Sequence, residues 1–259
     1  MEHEKRMPVI FIGHGSPMNA IEDNEFTRNW SKIAKEIPTP KAILVISAHW
    51  FTQGTRVTDA KQPKVIYDMY GFPEELYHIN YQPIGAHELA HKTKDLISKE
   101  VTIDNSWGYD HGGWSVLCRM YPNADIPVYQ LSVDQNASSE EHYRIGQEIS
   151  SLREEGVLIL ASGNVVHNLF KINWEMEGGY PWANEFDQYI KDKVKRREFQ
   201  EVIQYENAGK SAELAFYTTE HFYPLLYILG AVKEEDKLKI FNDTCLMGSL
   251  SMTCYIFSE

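Results

Sequence analysis

The stretch Ala42-Ile43-Leu44-Val45-Ile46-Ser47-Ala48-His49-Trp50 decides the fold. Its first five residues are apolar without alternation, the pattern of a strand covered on both faces in a parallel sheet. Pro38 and Pro40 stand before it and end a helix expected over about 22–37, where Phe26, Trp30, Ile33 and Ile37 share one face. Similar apolar runs predict strands at 9–12, 127–133 and 157–160. Helices are expected at 85–98, at 138–153 behind a Ser138–Glu141 capping box and before Gly156, at about 182–205, and at about 219–229. Residues 76–82 read as a loop, and the alternating tail 249–256 as an antiparallel strand at the sheet edge. The chain therefore reads as α/β, a mostly parallel central sheet with helices on both faces.

The 259 residues contain no internal repeat, low-complexity tract or Gly/Ser linker, so 1–259 is expected to be a single domain. A chain of this size buries roughly 70–75% of its unfolded surface, and needs neither disulfides nor a structural metal. The net charge of −12, from 25 basic and 37 acidic residues, argues against a nucleic-acid partner. The one basic cluster, 191–197, reads as a solvated helix face. No apolar run reaches a membrane span, and the charged start Met1 to Arg6 with the short run behind it is not a signal peptide. Cys118, Cys245 and Cys254 form no CxxC and sit among apolar neighbours, which fits buried packing in a reducing, cytoplasmic compartment.

In parallel α/β sheets, ligands bind at the carboxyl ends of the strands. Three histidines fall there: His14 in Gly13-His14-Gly15-Ser16-Pro17, His49 in Ser47-Ala48-His49-Trp50, and His167 in Asn164-Val165-Val166-His167. His111 follows Asp110 at a loop-to-helix junction, and His221 opens the apolar helix of 219–229. Imidazole is the commonest metal ligand at neutral pH, and three protein ligands with an open position make a catalytic rather than a structural site. Gly13 and Gly15 let the chain turn sharply around His14. His3, His87, His91 and His142 read as exposed. His87-Glu88-Leu89-Ala90-His91 does satisfy the zincin pattern H-E-x-x-H, but its helix is short and no third ligand lies near it in sequence, so that reading is set aside. The chain has no P-loop, no dinucleotide-binding glycine pattern and no G-x-S-x-G elbow.

Taken together, GHGSP (13–17), SAHW (47–50), YGFPEELY (70–77), DHGGWSVLCRMYP (110–122), PVYQLSVD (127–134), SGNVVHNL (162–169), HFYPLLYILG (221–230) and GSLSM (248–252) closely resemble the 4,5-DOPA extradiol dioxygenase family, within the class III, LigB-type ring-cleaving dioxygenases. The resemblance implies metal ligands at His14, His49 and His221, an acid/base at His167, and a pocket-lining catalytic group at His111. Ser16 and Trp50 are expected at the substrate, Trp50 because His49 is its neighbour. It also implies one divalent metal per chain, with a catechol and O2 as partners. The wider LigB-type enzymes use two histidines and a glutamate, a triad suited to Fe(2+). Here the third place reads as His221 with Glu220 beside it, and three histidines suit Zn(2+) at least as well.

The expected activity is extradiol cleavage of a catechol such as L-DOPA to 4,5-seco-DOPA. Chelation would lower the phenol pKa, and His167 would take the second proton. A zinc hydrolase on the same histidines, or a non-enzymatic binding member of the fold, are the alternatives. Only the dioxygenase consumes O2 with Fe(2+). Tyr223 and Tyr227 read as core, and Asp110 either as a helix N-cap or as a partner that orients a histidine.

Overall fold

The computed structural model describes residues 6–259; the first five residues, His3 included, lie outside it. In chain order the elements begin β1 (Val9–Gly13), α1 (Glu25–Glu36), β2 (Ala42–Thr52), β3 (Thr55–Val57), α2 (His87–Leu96) and β4 (Val101–Ile103). They continue with α3 (His111–Met120), β5 (Val128–Asp134), α4 (Ser139–Ile149), β6 (Val157–Gly163), α5 (Pro181–Lys195) and α6 (Phe199–Ile203). The chain ends with α7 (Lys210–Ala215), α8 (Tyr223–Ala231), β7 (Lys237–Phe241), β8 (Cys245–Leu246), β9 (Leu250–Ser251) and β10 (Cys254–Ser258).

Among the described residues, eight strands form one sheet in the order β4-β3-β5-β2-β6-β1-β10-β7. Its centre, β5-β2-β6-β1, is parallel throughout. Successive residues of these strands serve opposite faces. Phe11, Leu44, Ile46, Leu131 and Ile159 pack on α4, α5 and α8. Ile10, Ile12, Ile43, Val45 and Leu160 pack on α1 and α3 with Trp30 and Trp114. Burying one such side chain contributes about 1.5–3 kcal/mol, and the two-sided burial is why these strands lack alternation. The fold is the single-domain α/β sandwich that the sequence predicts.

The antiparallel side departs from expectation. The tail strand β10 pairs with β1, but it is not the edge: β7 lies outside it. The residues ahead of β7 are anchored by a buried pair, Arg153 Nη1 to Asp236 Oδ2 at 2.7 Å, which joins groups 83 residues apart. The expected long helix is two. Arg197 takes φ +57° between α5 and α6, and the amides of Arg197 and Glu198 bond back to Val194 and Lys193. This is a helix stop usually made by glycine. Here the Arg197 guanidinium holds it, bonding the carbonyls of Lys233 and Asp236. Lys191 is not on a solvated face; it is buried and paired with Asp187 and Asp243. His142 is likewise buried rather than exposed, its Nδ1 2.9 Å from the Tyr227 hydroxyl. A 3-10 turn, Glu74–His78, takes up the first residues of the loop expected over 76–82. The three cysteines are free, and no helix among the described residues is long and apolar enough to cross a membrane.

Candidate metal and substrate site

The carboxyl ends of β1, β2 and β6 bring five histidines together. His14 follows β1 directly, where Gly15 at φ +64° turns the chain away. His49 lies within β2, not beyond it. Between Ile46 and Phe51 five steps of β2 are matched by two of β5, from Leu131 to Val133, so the strand bulges there. A bulge of this kind re-aims side chains, and His49 sits on it. His221 precedes α8, which starts later than predicted, at Tyr223. Its carbonyl accepts from the Asn164 amide at 2.9 Å, and a Cβ on Gly163 would lie 2.1 Å from that carbonyl oxygen. Only glycine admits this approach. His111 is the first residue of α3, and His167 hangs between Phe216 and Leu250 by single bridges.

The rings of His14, His49 and His221 form a triangle with centroids 5.0–5.3 Å apart. His111 packs on His49 at 3.8 Å, and His167 stacks on His221 at 3.5 Å and 6°. Each triangle ring has its Nδ1 engaged elsewhere. Ser162 Oγ donates to the Gly112 carbonyl at 2.5 Å, so at 2.9 Å it accepts from His14 Nδ1. His49 Nδ1 lies 3.2 Å from Asp68 Oδ2, and His221 Nδ1 3.0 Å from Glu220 Oε1. A carboxylate only accepts, so all three imidazoles carry Nδ1–H and turn a lone pair out on Nε2.

Those lone pairs converge. His14 Nε2 and His49 Nε2 are 3.2 Å apart, and His221 Nε2 is buried without a partner. Two lone pairs at that distance repel unless a cation lies between them. Nitrogens each about 2.0–2.1 Å from one tetrahedral ion stand about 3.3 Å apart. The donor set therefore fits a divalent metal, with carboxylate and hydroxyl partners behind each ring. Burial, reinforced by the neighbouring rings, holds all three well below the ordinary histidine pKa, so no proton competes for the site near neutrality.

Asp68 was not foreseen as a site residue. It accepts from the His111 amide at 2.8 Å, lies 3.0 Å from His111 Nδ1, and reaches His49 with its other oxygen. Burial opposes its charge, yet the two histidines outweigh that and lower its pKa. Asp110 caps α3 through Gly113 and accepts from Ser47 Oγ at 2.6 Å and Trp107 Nε1 at 3.0 Å. Burial, then the charge of Asp68, raises it to about 6. Its role is the cap; orienting a histidine falls to Asp68. His167 is pushed down to about 4, chiefly by burial, well under the ordinary histidine value. Ser16 Oγ caps the turn Pro17–Ala20, accepting from Met18 N at 3.2 Å, and Trp50 is buried in β2 beside His49. Away from this cluster, Tyr227 is core, Tyr223 is half-buried, and His87 and His91 meet Asp59 on the surface.

Residues 8–257 match the family described as the catalytic LigB subunit of aromatic ring-opening dioxygenase. A 4,5-DOPA dioxygenase extradiol of Escherichia coli K12 is 44% identical over 253 residues, covering 95% of this chain and 93% of its own. One from Beta vulgaris is 39% identical over 97% and 96% of the two chains. The crystal structure of an uncharacterized Escherichia coli K12 protein superposes with a TM-score of 0.86 at 40% identity, covering 97% of this chain and 99% of that one. With almost its whole length matched, the chain belongs to the LigB family of aromatic ring-opening dioxygenases and is an oxidoreductase.

Proposed function

We propose that the whole chain, 1–259, is one catalytic domain that cleaves a catechol beside its diol with O2, and that L-DOPA is such a substrate, opened to 4,5-seco-DOPA. The observation that carries the reading is the convergence of three Nε2 lone pairs from His14, His49 and His221, flanked by His111 on one side and His167 on the other. Fe(2+) held by these nitrogens would supply a Lewis acid for the diol and an electron source for O2, whereas Zn(2+) would supply only the first.

The chain's own residues do the rest. His167 is neutral above about pH 4, so at neutral pH it is free to accept the proton of the second catechol hydroxyl. His167 stacks on His221, so a proton it takes would sit beside the ligand triangle. His111, whose Nδ1 lies 3.0 Å from Asp68, is held beside the ligand triangle, packed on His49. Ser16 lies at the turn below His14 and keeps its own O–H to donate to a substrate oxygen. Both atoms of O2 end in the product, one in a carboxylate and one in an aldehyde, with one ring C–C bond broken. Support for L-DOPA comes from relatives named for that substrate, at 44% and 39% identity.

The test is oxygen uptake with L-DOPA on protein stripped and reloaded anaerobically with Fe(2+) or Zn(2+), metal counted per chain. Uptake and a yellow ring-opened product with Fe(2+) alone are expected. No uptake with Fe(2+), despite one metal bound per chain, overturns the reading. A zinc hydrolase is the second reading, favoured by the all-nitrogen donor set; it would turn over an ester or amide with Zn(2+) and leave O2 untouched.

A further inference from the structure

The H-E-x-x-H segment lies outside the histidine rim, yet the fold supplies what its sequence lacks. His87 and His91 are four residues apart on α2, with ring centroids 4.6 Å apart. Residues at that spacing share one helix face. Asp59, in the loop after β3, faces both: its Oδ2 is 2.9 Å from His91 Nε2 and 3.4 Å from His87 Nδ1. One ligand atom from each of the three lies within 4.8 Å of the others. From these distances we propose that Asp59, His87 and His91 form a second metal site, separate from the rim, which takes a borderline divalent ion such as Zn(2+).

Several features make this a built site rather than a chance meeting. The other oxygen of Asp59, Oδ1, accepts from Asn105 Nδ2 at 2.7 Å. Asn105 is itself locked, because its Oδ1 accepts the amides of Asp59 and Ala60 at 3.0 Å each. Bonds of that kind aim a carboxylate ligand. The Asn105 bond also keeps Asp59 below the usual carboxylate range. Two imidazoles and one carboxylate are the three-ligand set of many zinc sites, with remaining positions left to water. Tetrahedral ligation needs ligand atoms about 3.3–3.5 Å apart, so the 2.9 Å contact of Asp59 with His91 must open slightly, an adjustment that half-exposed imidazoles can make by rotation. The same exposure gives the ion a way in, and His87 borders a surface cleft of about 690 Å³. Ligation replaces the bonds that His87 Nδ1 makes to the Asp59 carbonyl and His91 Nε2 to the Asp59 carboxylate, moving each ring proton to the other ring nitrogen, and ties the β3 loop to α2.

The experiment counts zinc. Protein already carrying one metal at the rim is dialysed against micromolar Zn(2+), and metal per chain is measured. The wild type should hold a second ion, and the double variant His87→Ala/His91→Ala should lose that one alone. Asn105→Ala should weaken the second site about 10–100-fold without changing the first. The variant His14→Ala should show the converse, keeping the α2 ion. A double variant that binds as much zinc as the wild type, or a wild type that saturates at one ion, overturns the proposal.

Discussion

Five histidines at the carboxyl ends of the parallel strands and two on α2 hold the same functional groups in opposite surroundings. At the rim, His14 is 1% exposed and His221 5%, and each ring of the triangle has its own partner behind Nδ1. On α2 the side chains are 41% and 46% exposed and share one carboxylate. Burial at the rim strips protons from the imidazoles and leaves their lone pairs nothing to face except each other. On α2, Asp59 satisfies one nitrogen of each ring and solvent can satisfy the other. The comparison teaches that proximity of histidines makes a possible ion site, whereas dry convergence with a separate anchor for each ring makes a place for chemistry.

The hardest way to break that contrast is to remove a rim ligand. His14→Ala or His221→Ala should lose the rim metal and drop oxygen uptake to the level of metal-free protein. Stoichiometric rim metal in either variant would end the assignment of that residue. His167→Gln comes next. It should keep the metal while kcat falls about 10²–10⁴-fold, the usual worth of a positioned base. Wild-type turnover in that variant would remove His167 from the reaction.

A buried histidine outside the rim isolates the effect of burial. His142 is lowered to about 4, mainly by burial. Its unfolded form takes a proton near pH 6.5, so the unfolded chain binds more protons between pH 6.5 and 4. Stability is therefore full above pH 6.5 and falls as pH drops through that window, by up to roughly 3 kcal/mol from this group at about 1.4 kcal/mol per unit. Urea titrations of wild type and His142→Gln at pH 7 and pH 4.5 measure it. The variant should lose less stability on acidification, and equal slopes would refute the burial argument.

Asp68→Asn should have a smaller effect, weakening rim metal affinity about 10–100-fold by loosening His49 and His111 together. Competition with a chelator reads this directly, and an unchanged affinity would make Asp68 merely structural. Asp68 also shows where sequence reading stops. The parallel strands were legible because two-sided burial leaves an apolar run, and the rim histidines because strand ends are where such sheets bind ligands. Asp68 lies in an irregular segment with no periodicity, and nothing local distinguishes it from a solvated aspartate. The helix stop at Arg197 was hidden for a related reason: no glycine marks it, and its partners near Asp236 are 36–39 residues away. Lys191 and His142 were misread as solvated because their burial comes from segments distant in sequence, Asp243 and Tyr227.

The smallest expected effect lies on α2. In metal-free protein, His91→Ala removes an exposed imidazole whose partner Asp59 keeps its bond from Asn105. Surface pairs of this kind contribute little, so unfolding free energy should change by no more than about 0.5 kcal/mol. Adding micromolar Zn(2+) should then separate the two proteins, because an ion bound only by the folded wild type stabilises it in proportion to RT ln(1 + [Zn]/Kd). A wild type and a variant that respond equally to zinc would place all stabilising metal at the rim. A large loss in the variant before any zinc is added would mean that the α2 pair holds the fold itself, and the contrast between the two clusters would fail on the α2 side.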